Sequence, residues 1–308
     1  MNARVAAVSI LLAGLLSPGW SLAAEAPIET RHLSVSDATG RLSSQQLKTL
    51  ADEAQATMGK VLAFWSADAG LDRFGKIRVV FDAPRRDIYG SVFYWSEGPA
   101  GRVRTLRVLK GEGPPQMLAH KLTSAVFPQK DKLIRNLMGI VAEAQIGNPL
   151  TFPMCGFGSD AWVLALLQTT GYIPLDDLGP DHESWGMRDA GGGQLMVFDR
   201  SRQHRAYAET GSFGNYLFRT FGVDRLKRLQ RLSQEKDRPM QAVFGRTLQQ
   251  LEADWRSQLQ ATARPAGAES ARVATAATVE TVETVGKLFE SDANTACAAA
   301  QKLASRGR

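Results

Sequence analysis

The chain has few cysteines, no block of like charge, no internal repeat and no long apolar stretch beyond its first residues. Two cysteines, Cys155 and Cys297, in 308 residues permit one intrachain disulfide at most. In an oxidising compartment they could pair and tie the C-terminal tail to the middle of the fold; otherwise both are free thiols. Past residue 16 no segment holds the roughly 18 uninterrupted apolar residues of a membrane helix, so no stable membrane span is expected. The 37 Lys and Arg against 31 Asp and Glu leave a formal net charge of +6, but the basic residues are scattered. Their densest group, 225–231, reads as a solvated helix face, so no nucleic-acid partner is expected.

What is present begins with an export signal. Arg4, an apolar run over 5–16 and the small residues Ser21, Ala23 and Ala24 have the order of a secretory signal peptide over 1–24. Cleavage after Ala23 or Ala24 is expected, giving a periplasmic or secreted protein. The remaining residues suffice for one large or two modest domains.

Periodicity divides the rest. Strands are expected over 29–35, 76–81, 91–95 and 102–109, with a long helix over 42–64 capped by Ser43 or Ser44. This makes 28–113 an α/β part. From Pro114 the pattern turns helical through 261, with helices over 114–127, 131–146, 159–170 and 204–221. Gly222 ends the last of these, and Asp224 caps another. Helices over 238–244 and 247–259 follow, and 190–193 reads as a glycine-rich loop. Residues 262–308 turn to Ala, Thr, Val and Glu, the composition of a linker, with a short tail helix near 282–304.

Two helices carry the candidate site. The 131–146 helix is apolar nearly all round and must be buried. Glu143 sits inside it. A buried carboxylate has to protonate, pair or bind a cation. On the preceding helix, His120 and Ser124 stack one turn apart, with Lys121 beside them. The run His120-Lys121-Leu122-Thr123-Ser124 has the outline of His-Glu-x-x-His, in which two histidines hold zinc and the glutamate activates a water.

The flanks extend that outline. Met117-Leu-Ala-His-Lys-Leu-Thr-Ser-Ala-Val-Phe127 is similar to LxHELTHxx, and Leu137-Met-Gly-Ile-Val-Ala-Glu-Ala144 to WLxEGxA. Ala206-Tyr-Ala-Glu-Thr-Gly-Ser-Phe-Gly-Asn-Tyr-Leu217 with Phe221-Gly222 is similar to YAxxGSFxxYLxxxYG, and 243–256 to xxGxSLxxLExxW. In order and spacing these resemble the gluzincin, peptidase MA-like family of zinc metallopeptidases over 28–261. The resemblance implies an α+β, zincin-like fold: a small mixed sheet with helices on one side, then a helical lobe, with a cleft between. It makes Glu143 the third zinc ligand, and it places Tyr207 and Glu209 on a cleft-lining helix.

The departures decide what the resemblance implies for activity. Lys121 stands where the catalytic glutamate belongs, and Ser124 where the second histidine belongs. His120 and Glu143 are the only ligands kept, so no cofactor is expected and zinc hydrolysis is impaired. Either the Lys121 ammonium replaces the metal and pairs with Glu143, or Lys121 turns to solvent and Glu143 bonds His120 or the backbone. The expected function is a catalytically impaired metallopeptidase-like protein of the envelope. It would bind a peptide or protein partner, with strand 102–109 as an edge on which an extended peptide adds. The alternatives are an active zinc peptidase with a site rearranged through His182 or His204, and a structural or assembly domain. Ser124 and Ser212 lack the paired histidine and acid of a serine nucleophile.

Overall fold

The computed structural model describes residues 26–83, 90–91, 93–98, 101–110, 117–167, 171–262 and 297. The expected leader, the Pro114-Pro115 helix start and nearly all of the linker and tail lie outside them.

The chain is mixed α/β, with a five-stranded mixed sheet and eight helices among the described residues. The sheet has the order β1-β2-β3-β6-β5, formed by Ile28–Glu29, Leu33–Asp37, Ile77–Asp82, Gly101–Leu109 and Phe93–Gly98. The expected strand over 29–35 is two strands. Thr30 accepts the Leu33 amide on Oγ1 and donates its own amide to the Leu33 carbonyl, turning the chain between them. Strands β2, β3 and β6 run parallel. A parallel pair needs a crossover, and α1 (Ser44–Trp65) with the short α2 (Leu71–Phe74) supplies it between β2 and β3.

Helix α1 starts where the sequence places its cap. The Ser43 side chain accepts the Gln46 amide while the Gln46 side chain accepts the Ser43 amide, closing a reciprocal capping box. Its apolar face, Leu47, Leu50, Ala51, Ala54, Met58, Val61 and Trp65, is buried. It meets the sheet face made by Leu33, Val35, Ile77, Val79, Phe81, Leu106 and Val108. The Trp65 indole then donates to Thr123 at 3.3 Å, tying α1 to the helix that carries the candidate site.

One expectation is corrected by the pairing. Strand β6, expected as an edge, is interior: it pairs β3 on one side and β5 on the other. The outer strand on that side is β5. Within β6, Arg104 is buried, with its guanidinium 5.1 Å from the Phe74 ring centre and donating to the Gly75 carbonyl.

A second, three-stranded sheet joins β4 (Gly90–Ser91), β8 (Gln194–Val197) and β7 (Met187–Gly191). The glycine-rich 190–193 loop is the tight turn of the β7–β8 hairpin, with Gly191, Gly192 and Gly193 all at positive φ. A Cβ on Gly193 would lie 2.2 Å from the Tyr94 ring, so the turn lies directly against β5.

The helical part holds α3 (Leu118–Val126), α4 (Lys132–Ile146), α5 (Ser159–Leu166), α6 (Arg200–Leu232), α7 (Met240–Phe244) and α8 (Leu248–Thr262). Gly222 breaks α6, at φ 79° and ψ 172°, where the sequence ends one helix and caps another. Cys155 and Cys297 are joined in a disulfide across a sequence separation of 142. No helix among the described residues is long and apolar enough to cross a membrane.

Candidate functional site

Helices α3, α4 and α6 pack together, and a cavity of about 30 Å³ opens between them. His120, Lys121 and Ser124 reach it from α3, and Tyr207 from α6. Four of the residues singled out in the sequence therefore share one site. Gly139 of α4 makes this packing possible: a Cβ there would lie 2.2 Å from His120 Cδ2, so only a glycine lets the imidazole lie against the helix.

Glu143 sits beside the cavity in a structural role. Its Oε2 accepts the His120 amide at 3.0 Å and its Oε1 accepts the Asn148 amide at 3.0 Å. Helix α3 begins after Met117, which is in the left-handed region at φ 51° and offers no side-chain cap. Glu143 supplies the missing cap from another helix, placing an acceptor and a carboxyl group at the α3 N-terminus. Burial raises the Glu143 pKa, opposed by the Asn148 and His120 amides and then by Lys121. No ion pair within 4.0 Å joins Lys121 to Glu143 among the described residues. Of the two arrangements expected from sequence, Glu143 follows the one in which it bonds the backbone. Lys121 does not turn to solvent: it is buried, and burial lowers its pKa to about 8 against the opposing pull of Glu143.

The rest of the wall comes from α4. Lys132, Arg135 and Asn136 line the cavity with Tyr207. Lys132 is 1% exposed, with its ammonium 5.0 Å from the Trp185 ring centre and 5.4 Å from that of Tyr207. Burial holds its pKa well below the usual lysine range, and Arg135 adds to the effect. Burial also pushes Tyr207 up to about 12. The His120 imidazole is held well below its ordinary pKa, first by burial and then by Lys121, Lys132 and Arg135. Sequence reasoning stopped at Glu143 and passed over these three residues. The signal was available: positions 132, 135 and 136 put two cations and an amide on one face of a helix that is otherwise apolar all round.

The remaining candidates lie elsewhere. Glu209 faces the 171–175 segment, where its Oε1 accepts the Ile173 amide at 3.0 Å. The His204 imidazole bonds the Pro153 carbonyl at 3.2 Å and packs 4.7 Å from Trp162; burial lowers its pKa to about 4. His182 is lowered to about 3, first by burial and then by Lys132 and Arg135. Ser212 donates to Asp160 and accepts from the Trp255 indole at 3.1 Å, a core link between helices.

The residues that the resemblance would make zinc ligands do not fit a zinc site. Both Glu143 oxygens hold backbone amides, Ser124 Oγ donates to the His120 carbonyl at 3.2 Å, and three cations share the space. Among the described residues, no three His, Cys, Asp or Glu side chains are grouped so as to hold a metal ion. No family model, characterised protein or solved structure matches the chain.

Proposed function

We propose that this chain is a zincin-like pseudo-peptidase of the cell envelope that binds an extended peptide or protein segment without cleaving it. The observation that carries the reading is the use of Glu143 as the cap of α3. The motif order seen in the sequence is kept, while the carboxylate that would complete a zinc site holds the helices together. Lys121, in the place of a catalytic glutamate, is a cation inside the cavity; it opposes a bound metal and cannot act as a general base while protonated. The outer strand β5 supplies an edge for an extended segment, in place of the β6 edge expected from sequence.

The test is metal content, measured by elemental mass spectrometry on the exported chain and on a Lys121→Glu, Ser124→His double variant. The expected result is a metal-free wild type and a variant that takes up zinc. About one zinc per wild-type chain would sink the reading and send the search for further ligands to His182.

A further inference from the structure

The cavity between α3, α4 and α6 has more hydrogen-bond donors than acceptors. Lys121, Lys132 and Arg135 bring three cations to a space of about 30 Å³. The Lys132 ammonium has only aromatic faces for company, with no hydrogen bond or ion pair to its Nζ among the described residues. Two further buried atoms of the lining, His120 Nδ1 and Asn136 Nδ2, have no partner.

The carboxylates nearby are engaged elsewhere. Glu143 holds the His120 and Asn148 amides. Asp131 accepts the Ile134 amide and pairs with Arg238 at 2.9 Å. Asp181 accepts the Ser184 amide at 2.9 Å. Burying an ammonium without a counter-charge is costly, and burial lowers the pKa of Lys132 well below the usual lysine range and that of Arg135 with it. An anion beside Lys132 and Arg135 offsets that cost.

We propose that this cavity is a carboxylate-binding subsite, in which the two oxygens of a carboxylate sit against Lys132 and Arg135, with Asn136 and Tyr207 as further donors. The size limits the guest. A water needs on the order of 10–15 Å³ of such space, so the cavity takes about two waters or one carboxylate, and the rest of a ligand stays outside. Phe93, the first residue of the outer strand β5, also lines the cavity. A segment added along β5 therefore passes the subsite, which makes a peptide carboxylate, from the chain end or an acidic side chain, its natural guest. That last step rests on the peptide-binding reading; the subsite does not.

The test is calorimetric titration of the full chain at neutral pH with sodium acetate, against sodium chloride at equal ionic strength. A second pair of probes is a short alternating Thr-Val peptide ending as free acid or as amide, and the same peptide amide carrying one Glu. Wild type should bind acetate saturably at about millimolar strength. Lys132→Met and Arg135→Gln should each weaken it at least about tenfold, while the exposed Lys48→Met leaves it unchanged. Either cavity variant suffices if the other does not fold. No saturable acetate binding by wild type, or equal binding by the folded cavity variants, overturns the subsite. Preference for the free acid or the Glu-bearing peptide over the plain amide identifies the source of the carboxylate. Acetate binding with no binding of any peptide keeps the subsite and defeats the peptide reading. Peptides bound equally by wild type and cavity variants keep the peptide reading and defeat the subsite.

Discussion

Two buried polar regions of this molecule contrast in what they lack. Beneath the 171–175 segment, Glu209 Oε1 and Glu252 Oε1 are acceptors that meet donors: Ile173 and Leu175 give their amides at 3.0 and 3.2 Å, and Tyr172 gives its hydroxyl to Glu252, while Glu209 Oε2 has no partner among the described residues. In the α3–α4–α6 cavity, the Lys132 ammonium and Asn136 Nδ2 are donors that meet no acceptor among the described residues. The first region explains itself, because its carboxyls fix a loop whose backbone would otherwise be buried without partners. The second leaves donors over, which is what the proposed carboxylate would meet. Buried charge alone does not separate structure from function; whether the protein already supplies the counter-group does.

Glu143 belongs with the first kind although it adjoins the second, and the strongest test is to remove it. Glu143→Ala leaves the His120 and Asn148 amides without an acceptor and takes the counter-charge from the α3 N-terminus. The expected loss is about 3–5 kcal/mol in urea unfolding. A loss under about 1 kcal/mol would mean that Glu143 is not the cap.

The next test uses pH. Burial lowers the folded-state pKa of Lys121 from 10.5 to about 8. Between those values the unfolded chain binds more protons than the folded one, so stability rises as pH rises through that window. The gain from Lys121 is roughly 3 kcal/mol, read as urea midpoints from pH 8 to 10.5, and Lys121→Met should flatten the rise. A wild-type curve that falls across the window would contradict a lysine whose pKa burial has lowered.

The smallest effect sharpens the contrast from the other side. Burial raises the Glu209 pKa well above 4.5, which favours its protonated carboxyl. Glu209→Gln preserves the carbonyl acceptor for Ile173 and should cost under about 1 kcal/mol by the same unfolding measurement. A cost as large as that of Glu143→Ala would show that Glu209 is ionised and that the two regions are alike.

The helices were the legible part of the fold. The Ser43 cap, the 131–146 helix and the break at Gly222 follow from local rules of capping, periodicity and backbone freedom, and the structure places them within a residue or two. Strand pairing was not legible, because which strand is outermost depends on partners far along the chain; β6 and β5 exchange places for that reason. The β7–β8 hairpin was reduced to its glycine turn, since two short strands carry little pattern. In the site, His120, Lys121 and Ser124 were found through motif spacing, and Tyr207 through the resemblance of its helix to a cleft-lining one. Lys132 and Arg135 lie outside the motif and stand near a helix start, where cations ordinarily face water. Only the packing of Trp185 and Tyr207 over Lys132 reveals that they do not.

The Glu143 cap also bears on motion. One carboxylate holds the first turn of α3 and the chain just past the end of α4, so neither can fray without releasing the same group. The amides of His120 and Asn148 therefore belong to one opening unit, exchanging with solvent in a shared event although 28 positions separate them in the chain. The cavity wall they support opens as a whole or stays shut.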